Sequence, residues 1–314
     1  MNDAERMPWP RWLALFLLAA GCAGPMGGGI AGTSSVQGAI SGLGSIVVGG
    51  IEFETEGATV TIEGEPVSAS ELGLGMVATV RGVVARGGRH GIAERVAVDN
   101  FAEGPIESLD AGTGAIGLLG QEVIVDELTV FAPVPLAALA VGDTIDVGGF
   151  LDAEGRIRAT RINRKTDDLE IELRGYVSGH DGMAKSFNIN RLTIEYGDAF
   201  LENVPPSGLD DGLFVEIDAA EPPSDDVMVA TDLTVLDPAL PFDEGDGLGI
   251  EGFVTSVESP TEVVVGGSQR IRITPATRFE GGGGADIILD AQLDVDGYAD
   301  ADGTLIALEI EFLS

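Results

Sequence analysis

The chain has one cysteine and two histidines in 314 residues, only two lysines (Lys165 and Lys185), and aromatic side chains make up 5% of it. Each scarcity excludes something. A lone cysteine, Cys22, cannot form an internal disulfide, so the folded body must be held by sheets and packing alone. His90 and His180 stand apart in glycine-rich stretches, and two scattered histidines make neither a zinc site of usual spacing nor a nucleophile–base pair. No Gly-x-Ser-x-Gly elbow accompanies them, and no cofactor is implied. With few aromatics, any core is built from Val, Ile, Leu and Ala, which suits thin strand-rich modules better than one large core.

Positive charge is scarce too: 17 Lys and Arg face 52 Asp and Glu, for a net charge of −35. Nucleic acid and anionic lipid headgroups are repelled by such a surface. An acidic face could draw cations, but solubility is the simpler reading.

Long hydrophobic runs are absent except for Leu13 to Leu18, which follows Arg6 and Arg11 and precedes Ala19-Ala20-Gly21-Cys22. A run this short cannot span a bilayer as a helix and reads as the core of a signal peptide. The ending Leu18-Ala19-Ala20-Gly21-Cys22 resembles the bacterial lipobox, in which small residues precede a cysteine that becomes lipid-modified. An ordinary secretory signal with a free cysteine is the alternative. Ala23 to Gly29 is glycine-rich and suits a tether. Because Ala23 is not the aspartate that resembles an inner-membrane retention signal, the resemblance implies the outer membrane, with lipidation at Cys22.

What the chain does have is self-similarity. Val141 to Ile162, VGDTIDVGGFLDAEGRIRATRI, aligns without a gap on Leu289 to Ile310, LDAQLDVDGYADADGTLIALEI, matching Asp146 with Asp294, Gly149 with Gly297, Asp152 with Asp300 and Ala159 with Ala307. Leu74 to Val96 follows with one extra residue in its turn. Upstream halves restart at Gly42, Gly104, Arg174 and Glu251, and Thr129-Val130-Phe131 and Thr277-Arg278-Phe279 occupy the same place midway through their units. The expected organisation is a signal peptide at 1–21, a tether at 22–38, and β-modules at 39–101, 102–166, 167–242 and 243–314, the third of them divergent.

Within a unit, side chains alternate with period two, as in Thr59-Val60-Thr61-Ile62 and Glu122-Val123-Ile124-Val125. Only stretches such as 69–74 or 135–140 could form a single helical turn. About five strands per unit suggest a small antiparallel barrel of OB-like type, because closure removes the edges that short sheets expose. The openings Gly-Ser-Ile-Val-Val and Gly-x-Ile-x-Ser, the central Leu-x-x-Gly-x-x-Val-x-Val-x-Gly and the closing Gly-x-x-x-Ala-x-x-Ile together resemble the bacterial domain of unknown function 5666 family, found repeated in lipoproteins. That resemblance covers most of the mature chain and implies no reaction.

Several candidate sites compete with plainer readings. Anchoring Gly303 at position 6 of a calcium loop gives Asp300, Asp302 and Glu309 ligand roles but puts Tyr298 at position 1. The aligned unit has Phe150 and Arg161 at the corresponding ends. A hairpin turn is therefore expected, with glycine at positive φ and aspartate bonding the turn backbone, and no metal is called for. Gly112-Thr113-Gly114-Ala115-Ile116-Gly117 has dinucleotide spacing but leads into a strand pattern rather than a helix. Arg81, Arg86, Arg89 and Arg95, and Arg156, Arg158, Arg161, Arg164 and Lys165, form basic islands without interleaved aromatics, so ion pairs with neighbouring carboxylates are expected.

The expected function is that of a non-catalytic, lipid-anchored envelope protein whose tandem β-modules serve as a spacer or binding platform, its partner an envelope protein or polysaccharide. The competing expectation is a hydrolase acting on carbohydrate through paired carboxylates. That reading needs a concave site of convergent polar groups at a unit junction.

Overall fold

The computed structural model describes residues 30–110, 112–166 and 170–313. The protein is all-β, 55% strand; among the described residues its helical content is three single 3-10 turns, at Ala69–Glu71, Leu136–Ala138 and Gly284–Asp286. Alternating branched side chains and glycine punctuation leave little else for the backbone to adopt.

The second unit shows the wiring. Its opening strand Ala102–Asp110 pairs antiparallel with Ala115–Leu118, which pairs with Gln121–Ile124. That third strand runs parallel to the last, Ile157–Arg164, whose antiparallel partner Thr144–Leu151 returns to the opening strand. The circuit closes on itself, and its inward face buries Ile106, Ile116, Leu118, Val123, Ile145, Val147, Ile157 and Ile162. A sixth, short strand, Val130–Ala132, adds to the last strand in parallel. Thr129 fixes its entry by donating from Oγ1 to the Ala159 carbonyl at 2.7 Å, and Thr277 makes the same 2.7 Å bond to Ala307 in the fourth unit.

The same circuit recurs in the fourth unit, through Gly247–Ser259, Glu262–Val265, Gln269–Arg272, Leu305–Phe312 and Gln292–Ala299. It recurs in the third, through Glu172–Tyr176 with Ser178–Asp181, then Ser186–Ile189, Leu192–Glu195, Val227–Leu236 and Phe214–Ala219. In the first, Gly42 bridges the opening strand to Ile46–Val48 before the path continues through Ile51–Glu54, His90–Val98 and Val77–Val84.

One glycine per repeat is dictated by this geometry. A Cβ on Gly82, Gly149 or Gly297 would lie 2.2 Å from the carbonyl oxygen of Ile92, Arg158 or Ile306. At each of these positions the ladder slips by one residue, a bulge in the last strand that leaves Glu94, Thr160 or Leu308 without a partner opposite and bends that strand around the circuit. The third unit slips at the same step with Ala219 in the glycine's place.

The four units are docked rather than strung. Ser34–Gln37, which the expected tether at 22–38 included, lies instead in the strand Gly32–Ala39 of the first unit and pairs in parallel with Gly247–Ile250 of the fourth, and Ala102 and Glu103 of the second pair with Leu173 and Glu172 of the third. The second and third units share one continuous hydrophobic cluster, whereas the first and fourth each keep their own. A small cluster of Val77, Phe150 and Phe253 joins the first, second and fourth.

Replacing Gly149 with Ala is expected to cost on the order of 1–3 kcal/mol, the usual penalty for forcing atoms into a filled space. Chemical denaturation of the variant measures it, and an unchanged midpoint would contradict the close-approach account.

Candidate functional site: a cavity where four units meet

The outward face of the first unit, a linker and the edges of the other three units enclose a cavity of about 390 Å³. That volume lies in the range of small-molecule pockets. Period two sets its first wall: Val77, Thr79 and Arg81 point the same way from one strand, and Arg95, Ala97 and Asp99 from its neighbour. Phe101 and Phe150 come from the second unit, Tyr176 and Phe214 from the third, and Ser268 from the fourth, while residues 237–241 form the remaining wall. Phe214 sits between Phe101, edge-on at 6.3 Å, and Tyr176, tilted at 4.9 Å. The result is an aromatic surface beneath a polar rim.

Arg174 anchors this junction. Its side chain is 8% exposed and pairs with Glu63 at 2.8 Å and Asp99 at 3.2 Å from the first unit, and with Glu172 at 3.4 Å and Glu216 from its own. A guanidinium buried this far is tolerable only with its N–H groups satisfied by charge. Burial works against its positive form, yet the carboxylates, led by Glu63, hold its pKa above the ordinary range. One cation cannot neutralise four acids. Burial, together with the neighbouring acids, accordingly pushes Glu63 up to about 7 and Glu172 to about 8.

The repeat register shows how the site arose. The residue before the repeated glycine of each opening strand faces one residue of the fourth strand: Gln37 faces Thr79, Glu103 faces Asp146, Arg174 faces Glu216 and Glu251 faces Asp294. Two positions further along the fourth strand, the facing residues are Arg81 with Arg95, Gly148 with Arg161, Asp218 with Asp232 and Asp296 with Glu309. Three of these four are like-charged pairs. Arg81 is held by Asp243 at 3.2 Å, Asp246 at 3.4 Å and the Pro241 carbonyl at 3.0 Å. Arg95 has no carboxylate within ion-pair distance among the described residues.

A second concavity, of about 190 Å³, lies between the fourth unit and the first, where Asp294, Asp296, Glu309 and Glu311 face Gly49, Gly50 and Arg89. In the second unit the equivalent Asp146 accepts a 2.7 Å hydrogen bond from Asn163; in the fourth, Glu311 occupies the asparagine's place. The donor has become an acid. One oxygen of Asp294 is therefore buried without a partner, and so is one of Asp296, which stands where the second unit has Gly148. Burial first, then the surrounding carboxylates, raises Asp294 to about 8 and Asp296 to about 7. Among the described residues, no three His, Cys, Asp or Glu side chains converge as a metal ion would require.

The residues singled out in the sequence fall mostly elsewhere. Cys22 lies outside the described residues. Asp300 closes a hairpin turn: its Oδ1 accepts from the Asp302 and Thr304 amides at 3.0 Å, and Gly303 takes φ +79°. Asp152 does the same for Glu154 and Arg156. Residues 112–114 turn into the strand Ala115–Leu118. His90 meets Glu52 on the surface at 3.3 Å, and His180 bonds the Tyr196 hydroxyl at 2.6 Å, beside Lys185.

Of the basic islands, Arg156, Arg164 and Lys165 pair with Asp152, Asp143 and Glu103. Arg158 stands 4.0 Å from Asp152 and also lies over the Phe253 ring of the fourth unit, while Arg161 reaches the first unit and donates to the Leu74 carbonyl at 2.7 Å. Only Arg81 and Arg95 of these candidates line the central cavity. Arg174, marked in the sequence only as the start of a unit, is the one base at a repeat position that otherwise holds Gln or Glu.

Protonation should therefore govern the seam. Groups raised above their unfolded pKa favour the folded state at low pH, and that contribution is lost as pH rises toward 7 to 8 through the values for Asp296 and Asp294. The lowered Asp110 and Asp181 act oppositely, but only in acid below about pH 4. The melting temperature is expected to fall between pH 5.5 and 8.5, and Asp296→Asn to raise it at pH 8.5 and flatten the profile. A melting temperature that climbs with pH over this window would contradict the assignment.

A family model described as "Domain of unknown function (DUF5666)" matches residues 35–97, 103–163 and 251–311, skipping the third unit. No curated protein matches the chain. A solved structure titled "drosophila Unr CSD456" aligns over 68% of this chain and 97% of its own, at 16% identity and a TM-score of 0.18, which is too low to carry an argument about fold.

Proposed function

This chain belongs to the family of the domain of unknown function DUF5666, and on that premise we propose that it is a non-catalytic, lipid-anchored envelope protein that binds a small molecule where its modules meet. Each module is read as an OB-like barrel, because every strand circuit returns to its opening strand and buries one apolar face. The observation that carries the binding role is the central cavity, to which all four units contribute. A spacer of strung modules would have no use for the ladder that folds the first unit back on the fourth.

Binding is favoured over hydrolysis by what the cavity's acids are doing. Asp99 is paired with Arg174, and Asp237 accepts the Ala239 amide at 3.0 Å. Neither is left to act with a second carboxylate as general acid or base. Anchoring rests on the lipobox-like Leu18 to Cys22 and the glycine-rich residues that follow.

Two measurements test the reading. Palmitate should label the wild type and not Cys22→Ala, which should move to the soluble fraction; label-free wild type, or a variant that stays on membranes, would remove the anchor. Native mass spectrometry of protein taken from envelope should show a small-molecule adduct that Ala239→Trp abolishes by filling the cavity, since Ala239 is an exposed wall residue. Wild type without adduct, or an adduct indifferent to the substitution, would remove the binding role.

A further inference from the structure

The charge on the cavity wall narrows the ligand. Resting on the reading of the cavity as a binding site, we propose that its ligand is a small amphipathic anion, a carboxylate or sulfonate carrying an aliphatic or aryl body, with Arg95 receiving the anionic head.

Arg81 and Arg95 face each other directly across the ladder, and both line the cavity. Like charges at this separation destabilise a sheet unless something lies between or beside them. Arg81 is drawn toward the linker by Asp243, Asp246 and the Pro241 carbonyl. Arg95 gets no such help in a chain with three acids for every base. In so acidic a protein, a guanidinium left without a carboxylate at a cavity rim marks a place where negative charge arrives from outside.

The acids within reach do not change this balance. Asp99 is engaged by Arg174 and Asp237 by a backbone amide. Below the rim the lining is apolar, with Phe150, Phe214, Tyr176, Leu236 and Leu240 offering surface to a hydrocarbon or ring. A fully polar anion such as inorganic phosphate would leave that surface wet, and a neutral chain would leave Arg95 unmatched. An amphipathic anion answers both.

The corresponding positions in the other units sharpen the contrast. Asp296 with Glu309 and Asp218 with Asp232 place acids where the first unit has arginines. The first unit alone presents a doubly basic pair at this step of the ladder, and its pair is the one that opens on the aromatic surface.

The test uses the full mature chain and the fluorescent probe 8-anilinonaphthalene-1-sulfonate, with dodecanoate, dodecanol and dodecyltrimethylammonium as competitors of equal chain length. Saturable binding at one site is expected, with dodecanoate displacing the probe at concentrations at least about tenfold below the other two. Arg95→Gln should weaken probe and dodecanoate about tenfold while leaving dodecanol unchanged, and Arg95→Lys should restore part of the loss. Circular dichroism and melting curves matching wild type exclude misfolding, as expected for an exposed side chain. If the three competitors act alike, or Arg95→Gln changes nothing while Ala239→Trp still blocks binding, the anion assignment falls and the cavity reading survives. If no amphiphile of any charge binds, both fall.

Discussion

Four hydrogen-bonded residues at the start of the fold, Ser34 to Gln37, lie alongside Gly247 to Ile250 near its end. The rest of the architecture depends on that short parallel ladder. It brings Glu251 close enough to accept the Ala39 amide at 2.9 Å, presses the acidic face of the fourth unit against Gly49 and Gly50, and turns the first unit's outward face toward the third. Loop closure over some two hundred residues costs only slightly more entropy than closure over a hundred, since the cost grows with the logarithm of length. A few main-chain bonds flanked by Val36 and Leu248, both fully buried, are enough to hold it.

Docking has an electrostatic cost that the protein meets differently at each junction. Between the first and third units, Arg174 gathers four carboxylates, and burial leaves Glu63 and Glu172 readily protonated. Between the second unit and its connection to the third, Lys165 reaches Glu103 at 2.9 Å. At the seam of first and fourth units no base comes within ion-pair distance of Asp294 or Asp296 among the described residues, and the acids answer with raised pKa values instead. The three solutions lie at the same facing pair of the repeat, Glu103 with Asp146, Arg174 with Glu216 and Glu251 with Asp294, and differ by Arg for Glu before the glycine or Glu for Asn on the last strand.

How much of this could be read from the chain follows from the range of each interaction. The all-β class, the repetition and the Asp-Gly turns were legible because they are local: Gly149 and Gly297 answer to a carbonyl on the adjacent strand, and Asp300 bonds amides two and four residues away. Thr129 and Thr277 hold the same place in the sequence repeat and make the same bond, to Ala159 and Ala307. The cavity was not legible. Its key contacts join Arg174 to Glu63 and Arg81 to Asp243, separated by 111 and 162 residues, and nothing in one repeat says which face of another it will meet. The expectation that the arginines pair with neighbouring carboxylates held for Arg156, Arg158 and Arg164 and failed for Arg161, which joins units instead, and for Arg95. The third unit kept its circuit while losing the bulge glycine, so its strands are clearer in space than in letters.

The strand Gly32–Ala39, the first among the described residues, is bonded on both flanks, antiparallel to Val77–Val84 and parallel to Gly247–Ile250. A pull applied at residue 30 along that strand's axis runs across both sets of hydrogen bonds, perpendicular to the antiparallel ladder and oblique to the parallel one. The bonds are then strained together in shear rather than opened singly like a zipper, so rupture needs many to fail at once. The part of the fold that closes the assembly is thus also oriented to bear mechanical load in shear.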